Sequence, residues 1–405
     1  MSAMERDFFY FDANASEPVR PAALAELNRV AALAGNPSSV HRAGREARAV
    51  LESARERLAG LFGARADNCV FTAGGTEANA LAIAGLGAGR PVLASAVEHD
   101  AVRAAAGGDR TGSDGRGDDS ASPGSGTVIP VDERGVARLD VLERMLAARA
   151  RAGAPPLVCL MLANNEVGTI QPVAEAARLC RAHGALLHVD AVQAAGRIAV
   201  DLAALGADSL AVSGHKFGGV KGAGALLLAG EATRVLPPLI AGGGQELGRR
   251  GGTQALPAIA AMAVAAGEAV AGLADEAARQ AGLRDAIDAA AREAGAVICG
   301  AGAPRLPNTT ALALPGRAAQ TQLIALDLAG FGVSAGSACS SGKVARSHVL
   351  EAMGLGALAG EAIRVSLPWN VREADVAAFI AAYAAMAGRL APRAAAGIVA
   401  ERKQG

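Results

Sequence analysis

The sequence has few cysteines, few aromatic residues and no excess of either charge. Its 405 residues include five cysteines, and no two of them form a CxxC pair. An odd number of cysteines without such pairs predicts neither a disulfide framework nor a zinc site, and it favours a reducing compartment. Lys and Arg together number 39, as do Asp and Glu, so the formal net charge is zero. Nucleic acid is therefore not expected to be a partner.

Long apolar runs are also missing. The longest, 256–267, is followed by Glu268, whereas a bilayer span needs roughly 20 apolar residues. The first residues, MSAMERDFFYFDANASEP, carry Glu5, Arg6 and Asp7 and show no apolar stretch of signal-peptide length. We therefore expect a cytoplasmic protein without a membrane partner.

What the sequence does have is alanine and an alternation of two patterns. Apolar residues make up 51% of the chain but aromatics only 3%, as in proteins with many alanine-rich amphipathic helices. Short apolar runs typical of buried strands occur at 91–96, 157–162, 185–189, 209–212 and 224–229. Helical stretches between them occur at 76–86, 139–150 and 173–182. This alternation predicts an α/β fold with a largely parallel sheet.

The pattern changes after residue 252. A long helical region, 255–294, is followed by short strands near 296–299 and 309–314 and by further helix. We predict a large domain over residues 1–259 and a smaller α+β domain over residues 260–405.

One internal segment, 107–126, has the polar, low-complexity sequence GGDRTGSDGRGDDSASPGSG. Such a segment cannot bury enough apolar surface to fold alone, so we predict a mobile surface loop. Whether it binds a partner is open.

Two segments place candidate ligand-binding groups at strand ends. In FTAGGTEANALAIAGL, Gly74 and Gly75 form a turn and Thr76 lies at the start of a helix, whose free N–H groups and dipole suit a phosphate, although Thr76 could simply cap that helix. In ALLHVDAVQAAGR, Asp190 ends a strand and Gln193 follows three residues later. A carboxylate at that edge faces the ligand crevice of an open α/β sheet and can hold a cofactor's pyridinium nitrogen protonated. The alternative is an aspartate that caps a helix.

A third segment, SGHKFGGVKGAGALL, carries Ser213, His215 and Lys216 directly after a strand. A lysine in a tight, partly desolvated turn has a lowered pKa and can form a Schiff base, while Ser213 and His215 could donate to a phosphate. Alone, Lys216 could be an ordinary surface lysine. Together, the three segments contain the groups expected of a pyridoxal 5'-phosphate (PLP) site.

A fourth segment, SAGSACSSGKVARSHVL, contains Cys339 among small and polar residues. The other four cysteines have apolar neighbours and fit the role of small buried residues. Cys339 is predicted to be an exposed loop thiolate, the alternative being a loop cysteine without function. Two weaker candidates are His99 in VEHDAV, which could stack on a cofactor ring, and Arg364 in AIRVSL, which could bind a substrate carboxylate.

Over nearly its whole length the chain resembles the cysteine desulfurase family (NifS/IscS-like), in the class V aminotransferase group of fold-type I PLP enzymes. The motifs that carry the resemblance are, in order, YFDANASEPV, GNPSSVHRAG, FTAGGTEANALAIAG, EHDAV, NNEVGTIQPV, HVDAVQAAGR, SGHKFGGVKGAGALL, GGGQELGRRGGTQ, LPNTT and SAGSACSSGKVARSHVL. The most specific are SGHK, GGGQE with the following GxRxGT pattern, and GSACSSG.

The resemblance implies how the cofactor is held. Lys216 would carry PLP, Asp190 would pair with the pyridinium nitrogen, Gln193 with the phenolic oxygen, and His99 would stack on the ring. The residues implied to bind the phosphate are Gly75, Thr76, Ser213, His215 and, from a second subunit, Thr253. A homodimer is therefore implied.

The resemblance also implies a reaction. Asn165, itself close to the cofactor, and Arg364 would hold the carboxylate of L-cysteine, and Lys216 would take the Cα proton. Cys339 would then attack the substrate sulfur, so that alanine leaves and a persulfide remains for an iron–sulfur scaffold or another acceptor protein. The segment 334–349 resembles the mobile cysteine loop of the group that serves such scaffolds. No metal site is implied, apart from transient iron–sulfur ligation through the Cys339 persulfide.

Two positions depart from the family pattern. Ser16 and Glu17 stand where the family often has Thr-Thr, and Pro368 and Trp369 stand where it usually has Gly-Arg. These departures leave the substrate-side contacts open. The alternatives are a selenocysteine lyase, another class V PLP aminotransferase, or a non-catalytic sulfur carrier or scaffold. An aminotransferase needs no thiol, and a silent scaffold would not be expected to keep all the reactive groups.

Overall fold

A computed structural model describes residues 8–107, 127–230, 236–336 and 345–390. The strands are β1 (Phe9–Tyr10), β2 (Cys69–Thr72), β3 (Val92–Ser95), β4 (Val128–Ile129), β5 (Leu157–Cys159), β6 (Leu186–Asp190), β7 (Ser209–Ser213), β8 (Gly224–Leu228), β9 (Val297–Cys299), β10 (Thr309–Ala313), β11 (Phe331–Gly332) and β12 (Ala362–Ser366). The helices are α1 (Pro21–Ala31), α2 (Arg42–Leu61), α3 (Gly75–Leu86), α4 (Asp100–Ala105), α5 (Leu139–Arg151), α6 (Val173–Ala182), α7 (Leu202–Leu205), α8 (Leu256–Ala271), α9 (Leu273–Glu293), α10 (Ala319–Leu328), α11 (His348–Ala352) and α12 (Glu373–Leu390). The predicted surface loop at 107–126 lies, except for Gly107, outside the described residues.

The large sheet confirms the predicted α/β fold. Its seven strands have the order β2-β8-β7-β6-β5-β3-β4. Only β8 runs antiparallel to its neighbours, and every other pair is parallel. Strands β5, β7 and β8 are buried at every residue, and β6 at all but Leu186. Burial on both faces explains why these strands have continuous apolar sequences rather than alternating ones.

The C-terminal part has its own small sheet, in which β10 lies between β9 and β12, antiparallel to both. The chain's N-terminal segment packs here, because β1 pairs with β11 and Phe11 lies 5.3 Å from the Phe379 ring, edge to face. The predicted domain boundary near residue 260 falls within α8 and stays a prediction.

The predicted long helical region 255–294 is helical and consists of two helices. They are α8 and α9, bent by 72° at Gly272. Glycine has a low helix propensity, and the sequence offers no other break there. Nine residues of α8 are buried, and the helix packs on α1 and α2. Among the described residues no single helix is long and apolar enough to cross a bilayer, and α8 with α9 meets that test only as this bent pair.

A buried ion pair ties α2 to the large sheet and to a distant loop. Arg55 donates to Glu246 at 2.6 and 2.9 Å, and Glu246 also accepts from the Phe71 N–H of β2 at 2.9 Å. The two side chains are 9% and 0% exposed. Glu246 is held in the left-handed region, at φ 50°, which a non-glycine residue adopts only when its surroundings impose it.

We expect Arg55→Met to lower the free energy of unfolding by about 3–5 kcal/mol, since it leaves a carboxylate buried without its counter-charge. Denaturant unfolding measures the loss. Arg42→Met is the matched control, because Arg42 forms a surface pair with Glu46 and is 88% exposed. Such pairs contribute about 1 kcal/mol or less. Equal losses in the two variants would contradict the prediction.

Candidate active site

Segments that follow the carboxyl ends of five parallel strands, β2, β3, β5, β6 and β7, line a cavity of about 250 Å³. This is the edge at which open α/β sheets bind ligands. The lining residues are Gly75, Thr76, Asn79, His99, Met161, Asn165, Asp190, Val192, Gln193, Ser213, His215 and Lys216. The cavity therefore brings together nine of the twelve predicted site residues. Thr253 and Arg364 are not in the lining, and Cys339 lies outside the described residues.

The turn between β2 and α3 forms one wall of the cavity. Helix α3 begins at Gly75, and its cap residue is Gly74 without any side-chain hydrogen bond. Thr76 therefore does not cap this helix, so the capping alternative is wrong. A Cβ on Gly75 would lie 2.6 Å from a methyl group of Val192 and 3.4 Å from Ser213 Cβ. Glycine thus lets the N–H groups of the first helical turn face the cavity at close range.

Asp190 is the most constrained group of the site. It is 5% exposed and precedes a series of turns, so it does not cap a helix. Its Oδ1 accepts from the Val192 N–H at 2.9 Å, and its Oδ2 accepts from Asn79 Nδ2 at 2.7 Å. Burial raises its pKa, opposed by these hydrogen bonds and by the charges of His99 and Lys216. A cation in the cavity would favour its ionised form.

A row of hydrogen bonds orients Asp190 from behind. The Asn79 side chain donates from Nδ2 to Asp190, and its Oδ1 accepts from His188 Nε2 at 2.9 Å. His188 is fully buried, which lowers its pKa to about 3 and keeps the ring neutral. Its Nδ1, 2.8 Å from Ser209 Oγ, is then the acceptor of the hydroxyl proton. Neither Asn79 nor His188 was predicted as a site residue.

Lys216 enters the cavity from the turn Gly214–Lys216 that follows β7. Its Nζ donates to the main-chain oxygens of Asn14, at 2.5 Å, and Ala15, at 3.0 Å. Burial, together with the positive charges of Arg197 and Arg364, lowers the pKa of Lys216 to about 7. A large share of the amine is therefore unprotonated, and nucleophilic, at neutral pH.

Gln193 is fixed by Arg197, which was not predicted as a site residue. Arg197 Nη1 donates to Gln193 Oε1 at 2.5 Å and to Asn14 Oδ1 at 2.9 Å. Gln193 Nε2 donates in turn to the Asn14 main-chain oxygen at 3.0 Å. The one available signal was spacing, because Arg197 follows Gln193 by four residues within HVDAVQAAGR.

His99 and His215 both have one ring nitrogen engaged. His99 Nδ1 accepts from the Ala101 N–H at 3.1 Å, so a neutral His99 carries its proton on Nε2. His215 Nδ1 lies 3.3 Å from Ser16 Oγ. Burial, and then the neighbouring Lys216 charge, lowers the pKa of His215 to about 4, so this ring is neutral at physiological pH.

Arg364 lies behind Asn165 rather than in the cavity lining. Its guanidinium donates to Asp12 Oδ1 at 2.7 Å and to the Asn165 main-chain oxygen at 3.1 Å. Its Nε is buried without a hydrogen-bond partner. Thr253 is exposed on the surface. The roles predicted for Arg364 and Thr253 stay predictions.

The fold agrees with the similarity of this chain to known proteins. Residues 9–379 match the family described as Aminotransferase class-V. The chain belongs to that family. It is 37% identical over 385 residues to an IscS-like cysteine desulfurase of Mycobacterium tuberculosis, covering 91% of this chain and 93% of that protein.

Solved structures agree with this assignment to the class V aminotransferase family. A NifS-like protein from Rickettsia africae superposes with a TM-score of 0.82 at 30% identity, covering 94% of this chain and 99% of that one. A protein described as SspA in complex with cysteine superposes with a TM-score of 0.71 at 29% identity, covering 89% and 99%. The predicted resemblance to the cysteine desulfurases of this family is confirmed.

Proposed function

We propose that this class V aminotransferase-family protein is a cysteine desulfurase that uses PLP to convert L-cysteine into L-alanine and leaves the sulfur as a persulfide on Cys339. One observation carries the proposal: the partly unprotonated amine of Lys216 and the buried carboxylate of Asp190 line the same cavity of about 250 Å³. An amine and an acid in one cavity are the two groups that a PLP enzyme needs from its protein.

The residues of the cavity fit PLP. At one end, the first turn of α3 begins without a side-chain cap, and a Cβ on Gly75 would fill the space beside it, which suits a phosphate. At another wall, both oxygens of Asp190 accept neutral N–H groups, and a pyridinium nitrogen would supply the missing cation. When bound, PLP supplies an electron sink that stabilises negative charge at the substrate Cα.

The protein's own groups supply the proton transfers. The lowered pKa of Lys216 makes its amine a base at neutral pH, and the carbonyls of Asn14 and Ala15 hold its nitrogen in place. We propose that Lys216 takes the Cα proton and later returns a proton to the product. His99, with its Nε2 carrying the proton, is proposed to stack on the ring and to exchange a proton with the substrate. Asn165 and Arg364 are proposed to bind the substrate carboxylate.

Sulfur transfer requires a thiolate, and the buried cysteines do not provide one. Cys69, Cys159, Cys180 and Cys299 are all buried. Burial raises the pKa of Cys69, Cys180 and Cys299 to about 12 and raises that of Cys159 as well. We therefore assign the acceptor role to Cys339. Its thiolate forms a bond to the substrate sulfur while the Cβ–S bond breaks, and the bonding electrons remain on the carbon, which takes up a proton to give alanine.

We further propose that the protein works as a homodimer in the cytoplasm and passes the persulfide sulfur to an iron–sulfur scaffold or another acceptor protein. The dimer is supported by Thr253, which is exposed and does not line the cavity of its own chain. It is also supported by three exposed apolar side chains in the preceding segment, Leu239, Ile240 and Leu247.

The experiment that tests the function supplies L-cysteine and a thiol reductant to the PLP-loaded protein. We expect alanine and sulfide in equal amounts without any keto acid, and about one persulfide per chain when the reductant is omitted. Dependence on a keto acid would indicate an aminotransferase. Turnover of selenocysteine but not cysteine would indicate a selenocysteine lyase, and a protein that binds no PLP would indicate a scaffold.

A further inference from the structure

A buried carboxylate lies behind the groups that hold Lys216 and Gln193. Glu17 is 7% exposed, and its Oε1 accepts from Arg197 Nη2 at 3.4 Å. Its own N–H donates to the His215 main-chain oxygen at 2.8 Å, so its backbone is tied to the turn that carries Lys216. Glu17 lines no part of the cavity.

Arg197 connects this carboxylate to the cavity. The guanidinium is 3% exposed and reaches Glu17 on one side and Gln193 and Asn14 on the other. The Asn14 main-chain oxygen accepts from both Gln193 and Lys216. A change at Glu17 is thus transmitted through a single guanidinium to the Gln193 amide and to the carbonyl that holds the Lys216 amine.

The two departures from the family pattern meet at this carboxylate. The Trp369 N–H donates to Glu17 Oε2 at 3.3 Å, and the Trp369 indole donates to the Pro18 oxygen at 2.9 Å. The guanidinium carbon of Arg20 lies 4.9 Å from the centre of the Trp369 ring. The Glu17 carboxylate is therefore oriented by the main-chain N–H of Trp369, so the two departures from the family pattern are in direct contact.

We propose that Glu17 is a positioning residue for the desulfurase reaction proposed above: it holds Arg197 against Gln193 and Asn14 and neutralises the positive charge that Lys216 faces. The inference rests on the proposed function for the role of Lys216. It concerns a residue that was not predicted as a site residue and that does not line the cavity.

Charged groups from several elements surround Glu17 and Lys216, the two residues that Arg197 connects. Glu17 faces Arg197 and the carboxylate of Glu276 on α9, which is itself paired with Arg20 at 3.3 Å. Burial raises the pKa of Tyr10, and the charges of Asp12 and then Glu17 add to that shift. The charged groups that act on Lys216 are Arg197, Arg364, Asp12 and Asp190. Arg197 is the one cation common to both sets.

The sign of the effect follows from these charges. Burial raises the pKa of Glu17 to about 7, although Arg197 and the Trp369 N–H oppose the shift. When Glu17 is protonated, the charge of Arg197 is unopposed and disfavours a proton on the nearby Lys216 nitrogen. When Glu17 is ionised, that nitrogen keeps its proton to higher pH.

The test uses the PLP-loaded protein without cysteine. The pH at which the visible absorbance of the cofactor changes reports protonation at the Lys216 nitrogen. We expect Glu17→Gln to lower this midpoint by about one pH unit, as expected for loss of one compensating charge near a titrating group. Glu17→Asp keeps the charge and should stay near the wild-type value. Trp369→Phe should do so too, because the main-chain N–H to Glu17 remains.

Glu143→Gln is the matched control, since Glu143 is exposed on α5 and should leave the midpoint unchanged. Glu17→Thr is a second neutral variant and restores the residue usual in the family pattern. A wild-type midpoint in either folded neutral variant overturns the proposal, and so does failure of both to fold, which would make Glu17 structural. A protein that shows no cofactor absorbance would contradict the proposed function. A protein that shows the absorbance and forms alanine, but whose midpoint is the same with and without Glu17, would contradict only this inference.

Discussion

Lys216→Ala should reduce alanine formation from L-cysteine by roughly 10²–10⁴-fold, even with PLP in excess, which is the usual effect of removing a catalytic base. The structural reason is that Lys216 is the one lysine of the cavity lining, and its Nζ is held there by two main-chain oxygens. Its pKa of about 7 means that it gives and takes protons within the physiological range.

The measurement for Lys216 is single-turnover alanine formation at saturating cysteine. Lys221→Ala is the matched control, because Lys221 lies five residues further along the same segment but is exposed. That variant should keep the wild-type rate. If Lys216→Ala retained more than about a tenth of the activity, Lys216 would not be the base, and the cavity would have to hold its cofactor in another way.

Cys339→Ser should abolish persulfide formation and reduce alanine formation to near background, with PLP still bound. The expectation follows from the state of the other thiols. The four cysteines in the described part of the chain are buried, with raised pKa values, so none of them can replace the missing thiolate.

The readouts for Cys339→Ser are alanine formation and the mass of the protein after incubation with cysteine. Ser341→Ala is the control, since it alters the same SACSSG sequence without removing the thiol. Equal alanine from wild type and Cys339→Ser would exclude Cys339 as the sulfur acceptor. The reaction would then be one in which sulfur leaves directly, as in a lyase.

The sequence allowed the large sheet and most of the cavity to be predicted, because both follow from local patterns. Continuous apolar runs identify buried strands, and polar residues just after such runs, such as Asp190 and Ser213, must lie at one edge of a parallel sheet. The glycine turn after β2 and the helix that follows it were also predicted from the local sequence, and α3 begins there at Gly75.

The supporting groups could not be predicted, because their contacts join residues far apart in the chain. Asn79 meets Asp190 over a separation of 111 residues, and Arg197 meets Asn14 over 183. Nothing in the local sequence of Asn79 distinguishes it from any polar residue on a helix. The bend at Gly272 was missed for a different reason, since a single glycine in an alanine-rich helix is compatible with a continuous helix.

The row from Ser209 through His188 and Asn79 to Asp190 has a consequence for any ligand that pairs with the Asp190 carboxylate. Each side chain of that row is hydrogen-bonded to the next, so the Asp190 carboxylate is oriented before a ligand enters the cavity. Ordering a free side chain on binding costs about 0.5–1.5 kcal/mol, whereas here the Asp190 side chain is already ordered in the folded protein. A ligand that pairs with Asp190 therefore meets a carboxylate that is already oriented, and binding does not have to order it.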